Sequence, residues 1–357
     1  AKTEEMQKVA REAGAKGIRI HGQGETGQEL LQRIPQDEVF SGYLGNWITQ
    51  EFMVATGAID LVLMDMNCSI PGMKNVADHF HTRLVSISNL VRMEGVEENL
   101  DYKPEKAAEQ AKELIKMAVE SFKKRRGESH IPKRITKVTV GFSTEAVLSA
   151  LGGKLEPLLE AIKKGQIKGI VALVSCTTCK TGHDQATVAL AKELIKRNML
   201  LVCGGCGSSA LEVGGLTTLE ASEMAGEGLQ SLCKSLKIPP VLNFGTCTDT
   251  GRIAMAVAAV AEALGVDPSQ LPAAVTAPEY LEQKAIVDAM FSLAFGLFTH
   301  IGPVPPGAGG GKVGESLTTE LENITGGKVC VEQDPVKAAQ AIQEHIDNKR
   351  RMLKLAV

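Results

Sequence analysis

The feature that most constrains this chain is a unit repeated through its second half: a short, continuously apolar run followed by a helix with one apolar face. KGIVALVS (168–175) leads to DQATVALAKELIKRN (184–198), and MLLVC (199–203) to SSALEVGGL (208–216). PPVLNFG (239–245) leads to GRIAMAVAAVAEALGV (251–266), and GKVCVE (327–332) to DPVKAAQAIQEHIDNKRRML (334–353). Strands apolar on both faces need cover on both faces, so the pattern predicts α/β with mostly parallel sheets. The last helix carries its own start signal, Asp334 as N-cap and Pro335 in the first position.

The first half alternates less clearly. A helix is expected near 3–13, ending at Gly14 and Gly17, then a short strand at IRIH (18–21) and a helical QELLQRI (28–34). WITQEFMVATG (47–57) reads as a helix stopped by Gly57, and IDLVLMDMN (59–67) as a buried strand. A long helix over 104–124 runs into the polar connector GESHIPKRIT (127–136), which places a domain boundary near residue 131. The opening AKTEEMQKVAREAGAKG starts in mid-helix without an initiator Met, as if cut from a longer chain.

Composition removes several function classes. With 357 residues, 23% charged and net charge −3, the chain has no electrostatic footprint for nucleic acid. Its one basic cluster, KKRR at 123–126, reads as a solvated helix end, where cations suit the helix dipole. The longest apolar candidate, AMFSLAFGLF (289–298), is too short for a membrane span and abuts Asp288. No secretory signal opens the sequence, and the eight cysteines follow no small secreted framework. A reducing cytoplasm is therefore expected, where clustered thiols point to metal or redox chemistry. PPGAGGGKVGE (305–315) imitates a phosphate loop, but Pro306 and Val313 stand at positions that motif needs for Gly and Ser or Thr.

Four thiols share one kind of place. Cys68 follows LVLMDMN, Cys176 follows IVALVS, Cys206 closes LLVCGG and Cys247 closes VLNFGT, each just past a predicted strand. In a parallel sheet the carboxyl ends of strands share one edge, and ligands bind in the crevice beside it. One such cysteine is ordinarily a small buried hydrophobe. Four at strand ends point to an iron–sulfur or related thiophilic metal site. The competitor is zinc, because C-T-T-C (176–179) and C-G-G-C (203–206) are 23 residues apart, although that interval holds a full helix and strand. A redox pair at 176–179 has no other support. Cys233, in a helical pattern, and Cys330, in a strand pattern, read as packing residues.

GYLGNWITQEFMVATGAIDLVLMDMNCSIPG (42–72), HTR (81–83), GQIKGIVALVSC (165–176), AKELIKRNMLLVCGGC (191–206), PPVLNFGTCTDTGRIA (239–254), APEYLEQKA (277–285) and FTHIGPVPP (298–306) together resemble the nickel–iron carbon monoxide dehydrogenases. The resemblance runs in order over almost the whole chain and corresponds to the later part of that family's catalytic subunit. It implies two Rossmann-like domains, here 1–131 and 132–357, with a nickel–iron–sulfur cluster in the crevice between them that interconverts CO and CO2. The family's cluster cysteines fall on Cys68, Cys176, Cys206 and Cys247, and its catalytic lysine on Lys284. Cys179 and Cys203 match no ligand position. The resemblance further implies a homodimer, an electron partner such as ferredoxin, and an upstream helical segment or partner chain.

The chain departs from the family in two places. Gly24-Glu25-Thr26-Gly27 stands where the family has Cys-Cys-Thr-Gly, so Glu25 replaces a thiolate ligand. A carboxylate favours iron with oxygen around it, and the related hybrid-cluster proteins carry a glutamate there. Asp288, one helical turn past Lys284, stands where the family tends to be apolar. The family's histidine ligand would lie upstream; neither His21, His79 nor His81 supplies it by alignment. Three readings follow. The first is CO chemistry at a cysteine-ligated Ni–Fe–S or Fe–S–O cluster, the second hybrid-cluster-like reduction of hydroxylamine or a related nitrogen species. The third is a non-catalytic protein for cluster storage or sensing.

Overall fold

Every strand pair in the computed structural model is parallel among the residues it describes. Those residues are 1–65, 68–133, 135–281, 283–305 and 310–357, with the side chains of 25, 283, 313, 317 and 318 outside the description. The chain divides into two compact units, Ala1–Ile135 and Thr136–Val357.

The first unit runs α1 (Glu4–Glu12), β1 (Ile20–Gly22), α2 (Gly24–Arg33), β2 (Phe40–Tyr43), α3 (Gln50–Ala55), β3 (Leu61–Met64), α4 (Gly72–Ala77), β4 (Arg83–Ser86) and α5 (Ala107–Phe122). Its strands form two separate pairs, β1 with β2 and β3 with β4, rather than one broad sheet. None exceeds four residues, so each can pair with a single neighbour over only a short ladder. Val54, Met64 and Met73 centre a small core under β3 and β4. At the amino end of β3 the Asp60 carboxylate gathers His81 Nε2 at 2.8 Å and Arg125 Nη2 at 2.9 Å. Arg125 therefore turns inward, while Lys123, Lys124 and Arg126 are exposed as the basic run suggested.

The second unit runs α6 (Thr144–Ala150), α7 (Glu156–Lys163), β5 (Gly169–Val174), α8 (Gln185–Lys196), β6 (Met199–Gly204), α9 (Cys206–Val213), α10 (Glu227–Leu236), β7 (Val241–Asn243), α11 (Thr250–Leu264), β8 (Ala273–Ala277), α12 (Gln283–Ala294), β9 (Phe298–Ile301), α13 (Gly311–Thr319), α14 (Leu321–Thr325), β10 (Lys328–Val331) and α15 (Pro335–Met352). Six strands make one sheet in the order β10-β9-β8-β5-β6-β7. This is the doubly wound arrangement, with the chain reversing direction across the sheet at β5 and β8. Ile170 of β5 is in register with Leu200 on one side and Ala273 on the other. Val171, Leu173, Leu190, Leu194 and Leu201 are fully buried between sheet and helices. Gly169 is required by close packing, since a Cβ there would lie 2.3 Å from Pro272 O.

β8 was not among the strands expected from the sequence. Three of the five residues in its segment AAVTA are alanine, which is depleted from strands. It is nonetheless an interior strand, held by parallel ladders on both sides. The closing helix α15 begins as its signal predicts, with Asp334 Oδ1 accepting from Val336 N at 2.8 Å. Near its end the buried Arg350 donates to the carbonyls of Ile162, Lys168 and Ala356. Among the described residues no helix is long and apolar enough to cross a membrane. Residues 306–309 of the proline–glycine segment lie outside the described residues.

His345 of α15 stacks on Phe298 with ring centroids 4.8 Å apart, and burial, aided by Lys349 and Lys328, holds its pKa down to about 4. The unfolded chain takes up this proton near the ordinary value, about 6.5. Between those two values the unfolded state binds more protons, so the contribution of neutral His345 is complete above about pH 6.5 and is lost as pH falls toward 4. Thermal unfolding of the protein and of His345→Phe should show a steeper fall for the parent between pH 6.5 and 4.5. Parallel curves would contradict the assignment.

Candidate metal centre

Three of the four strand-end thiols belong to the large sheet. Cys176 lies just past β5, Cys206 opens α9 just past β6, and Cys247 opens a short 3-10 turn, Cys247–Asp249, past β7. These strands are successive neighbours, so the three residues stand along one carboxyl edge. Backbone packing draws the loops together. Gly207 N donates to Ser175 O at 2.8 Å. Gly205, at φ +74°, is in the region that favours glycine, and a Cβ there would lie 2.7 Å from Ser175 O and 2.9 Å from Cys247 Sγ. The Cys247 sulfur thus rests against the backbone that carries Cys206.

Buried carboxylates hold these loops. Asp249 Oδ2 accepts from Thr246 N at 2.9 Å and closes a capping box around Cys247. Asn243, ending β7, donates to Glu212 of α9 and accepts from Gly245 N at 2.8 Å, tying the Cys206 helix to the Cys247 turn.

Helix α12 starts at the carboxyl side of β8, beside the reversal point of the sheet. Its Ala285 and Ala289 pack in one buried cluster with Cys176 and Tyr280. Burial, with the neighbouring Cys176, raises the Tyr280 phenol pKa. Lys284 is half-buried in the first turn. One turn on, Asp288 Oδ1 lies 3.2 Å from Thr250 Oγ1, whose hydroxyl lies 3.0 Å from Cys247 O. Asp288 is therefore linked through Thr250 to the Cys247 turn.

Cys68 and position 25 belong to the first unit. Cys68 has φ +52°, an uncommon conformation for a residue with a side chain. Gln50, 5% exposed, holds that loop from both sides. Its Nε2 donates to Cys68 O at 2.7 Å and its Oε1 accepts from Ile70 N at 3.2 Å. A Cβ on Gly24, which opens α2, would lie 3.4 Å from the same Gln50 Nε2. The Thr26 hydroxyl donates to Asp65, at the start of the Cys68 loop. The backbone around position 25 and the Cys68 loop therefore meet. The side chain of Glu25 lies outside the described residues.

The remaining thiols separate from these. Cys203 sits in the sheet core with no exposure, and burial with nearby Glu212 pushes its thiol well up. Cys179 is exposed. The two C-x-x-C pairs thus send one member to the core and one to solvent, which contradicts the four-thiol zinc arrangement. Burial raises Cys233 to about 12 and also raises Cys330, in keeping with packing roles. Among the described residues no three His, Cys, Asp or Glu side chains are grouped to hold a single metal ion. Thiols distributed along an edge suit a polynuclear cluster better than one tetrahedral ion, because its several metal atoms each take a separate ligand. His81 is committed to Asp60 at the end of β3 away from Cys68, and His79 is exposed. His21 Nδ1 is buried without a hydrogen-bond partner, and burial lowers its pKa.

Gln50, Thr250 and Glu212 were not picked out from the sequence. A buried polar clamp has no signature of its own in a single sequence, since it depends on partners far along the chain. Replacing Gln50 by Ala removes both bonds to the Cys68 loop, a local loss of about 2 kcal/mol. Hydrogen exchange at the Ile70 amide should accelerate by more than about tenfold. An unchanged rate would show that the loop is held otherwise.

Comparison with known proteins matches the sequence profile of the Prismane/CO dehydrogenase family to residues 1–336. The carbon monoxide dehydrogenase of Archaeoglobus fulgidus is 55% identical over 99% of this chain and 57% of its own length. Carbon monoxide dehydrogenase 2 of Methanosarcina mazei is 49% identical over 99% of the chain and 56% of its own length. A nickel-free, as-isolated crystal structure of carbon monoxide dehydrogenase from Thermococcus sp. AM4 superposes with a TM-score of 0.94 at 43% identity, covering 100% of this chain and 56% of that one. An acetyl-CoA synthase/carbon monoxide dehydrogenase structure described with NiZn[Fe4S4] and NiNi[Fe4S4] clusters gives 0.91 at 30% identity, covering 98% and 54%. The chain therefore spans little more than half the length of the relatives it matches.

Proposed function

This chain belongs to the Prismane/CO dehydrogenase family, and we propose that it is the cluster-holding part of an iron–sulfur oxidoreductase that interconverts CO and CO2. The observation that carries the reading is the placement of Cys176, Cys206 and Cys247 along one carboxyl edge of adjacent parallel strands. Cys68, Cys176, Cys206 and Cys247 would supply thiolates and Glu25 an oxygen donor to an Fe–S cluster, with or without nickel. A soft sulfur set with one hard donor suits a mixed iron–sulfur–oxygen body. When bound, such a cluster supplies Lewis acidity and electron storage.

The chain's own residues handle position and protons. Lys284 handles protons as CO and water give CO2, two protons and two electrons, or the reverse, and its ammonium steadies developing negative charge on substrate oxygen. Asp288, anchored by Thr250, adds a second ionisable group one turn away. The apolar contact of Ala285 and Ala289 with Cys176 keeps water from that side of the thiol. The reading includes a cytoplasmic location, expected from the cysteine usage, and a homodimer that exchanges electrons with a carrier such as ferredoxin.

Anaerobically prepared intact protein should contain iron and reduce a viologen dye when given CO. Cys176→Ala should lower that rate by at least about two orders of magnitude and release iron, because a thiolate ligand is removed. Cys203→Ala, in the core, should keep the iron. Iron without nickel, together with hydroxylamine reduction and no CO oxidation, would replace CO chemistry with nitrogen-oxide chemistry. A bound cluster supporting neither turnover would mark a storage or sensing protein. Full iron retention in Cys176→Ala would overturn the ligand assignment.

A further inference from the structure

Glu279 lies between β8 and α12 and has no exposed surface. A buried carboxylate is costly unless its charge is met by donors, and here four backbone N–H groups converge on it. Its Oε2 accepts from Asp184 N at 3.1 Å and Thr178 N at 3.4 Å, and lies 3.1 Å from the Thr177 hydroxyl oxygen. Its Oε1 accepts from Ala186 N at 2.8 Å and Thr187 N at 3.2 Å. Its own N–H donates to Ser175 Oγ at 3.1 Å. Ser175 and Thr178, which flank the Cys176 position, are therefore bonded to Glu279.

The local sequence offers α8 a different cap. Asp184 occupies the N-cap position, and aspartate is among the best residues for it. Yet it sits at φ +68° with no capping bond, and its carboxylate accepts from Thr177 Oγ1 at 2.7 Å. The first-turn N–H groups of α8 are satisfied instead from Glu279, some 93 residues away. The Cys176 loop and the start of α8 are thus held from the segment that leads into α12. These bonds cross the sheet's reversal point, from the loop after β8 to the loop after β5.

We propose that Glu279 is a positioning residue that sets Cys176 against the start of the Lys284 helix, so that the ligand thiol and the proton-handling group keep one fixed relation. The proposal rests on the ligand role of Cys176 given above. Glutamine in its place turns one oxygen into an N–H2 that faces donors, so some of the four bonds must break and the 175–178 loop must shift.

The test compares alkylation by iodoacetamide, followed by mass spectrometry, in metal-free intact protein. Cys176 in Glu279→Gln should react at least about tenfold faster than in the parent, the change expected when one charge-assisted bond is lost. Cys203, fully buried in the sheet core, should keep its rate. Arg350→Met, which removes a buried clamp away from the thiols, should lower the melting temperature and leave Cys176 protected. In iron-loaded protein the Glu279→Gln electron paramagnetic resonance spectrum should shift from the parent's, and Glu279→Asp should return part of the way. Equal Cys176 rates, or Cys176 and Cys203 rising together, would overturn the proposal. Where Glu279→Gln does not fold, Glu279→Asp carries the same two readouts. Absence of iron in the parent would defeat the cluster reading, while Cys176-selective labelling would still decide the clamp.

Discussion

The parallel pairing of β5 with both β6 and β8 governs everything else in the large unit. Because all the strands run the same way, every loop that follows a strand emerges at one edge, and chemistry-bearing residues from distant segments are collected there without contact along the chain. The reversal of winding at β5 and β8 opens that edge, because the helices that follow those two strands depart to opposite faces. Cys176 leaves β5 and the Lys284 helix leaves β8, so these two candidate residues come from the two sides of the reversal point.

Strand ends are loops, and loops need their polar backbone satisfied before they can hold a side chain steady. This fold meets the need with buried side chains that reach across from other segments: Glu279 to the Cys176 loop, Asn243 with Glu212 between the Cys206 helix and the Cys247 turn, and Gln50 around Cys68. The rigidity of these loops is thus supplied by amides and carboxylates.

Much of this was legible in the sequence. The continuous apolar runs at 169–174 and 199–204 announced buried parallel strands, and the cysteines just beyond them announced the edge. β8 escaped notice because AAVTA has small side chains, which the crowded interior of the sheet accepts but strand propensity does not signal. The first unit was less readable, since its strands are three or four residues long and pair only in twos. Arg125 looked like a solvated charge until Asp60, far back in the chain, gave it a partner. The zinc alternative rested on spacing alone and gave way once Cys203 was found inside the core and Cys179 at the surface.

The central claim is that four sulfurs from remote segments serve one inorganic centre. Anomalous diffraction from crystals of the anaerobically prepared intact protein, recorded at the iron edge and again at the nickel edge, tests it directly. The account predicts one compact body of iron density bonded to Cys68, Cys176, Cys206 and Cys247, with the position-25 carboxylate beside it. Four thiols in separate apolar pockets, with no iron peak near any of them, would contradict it.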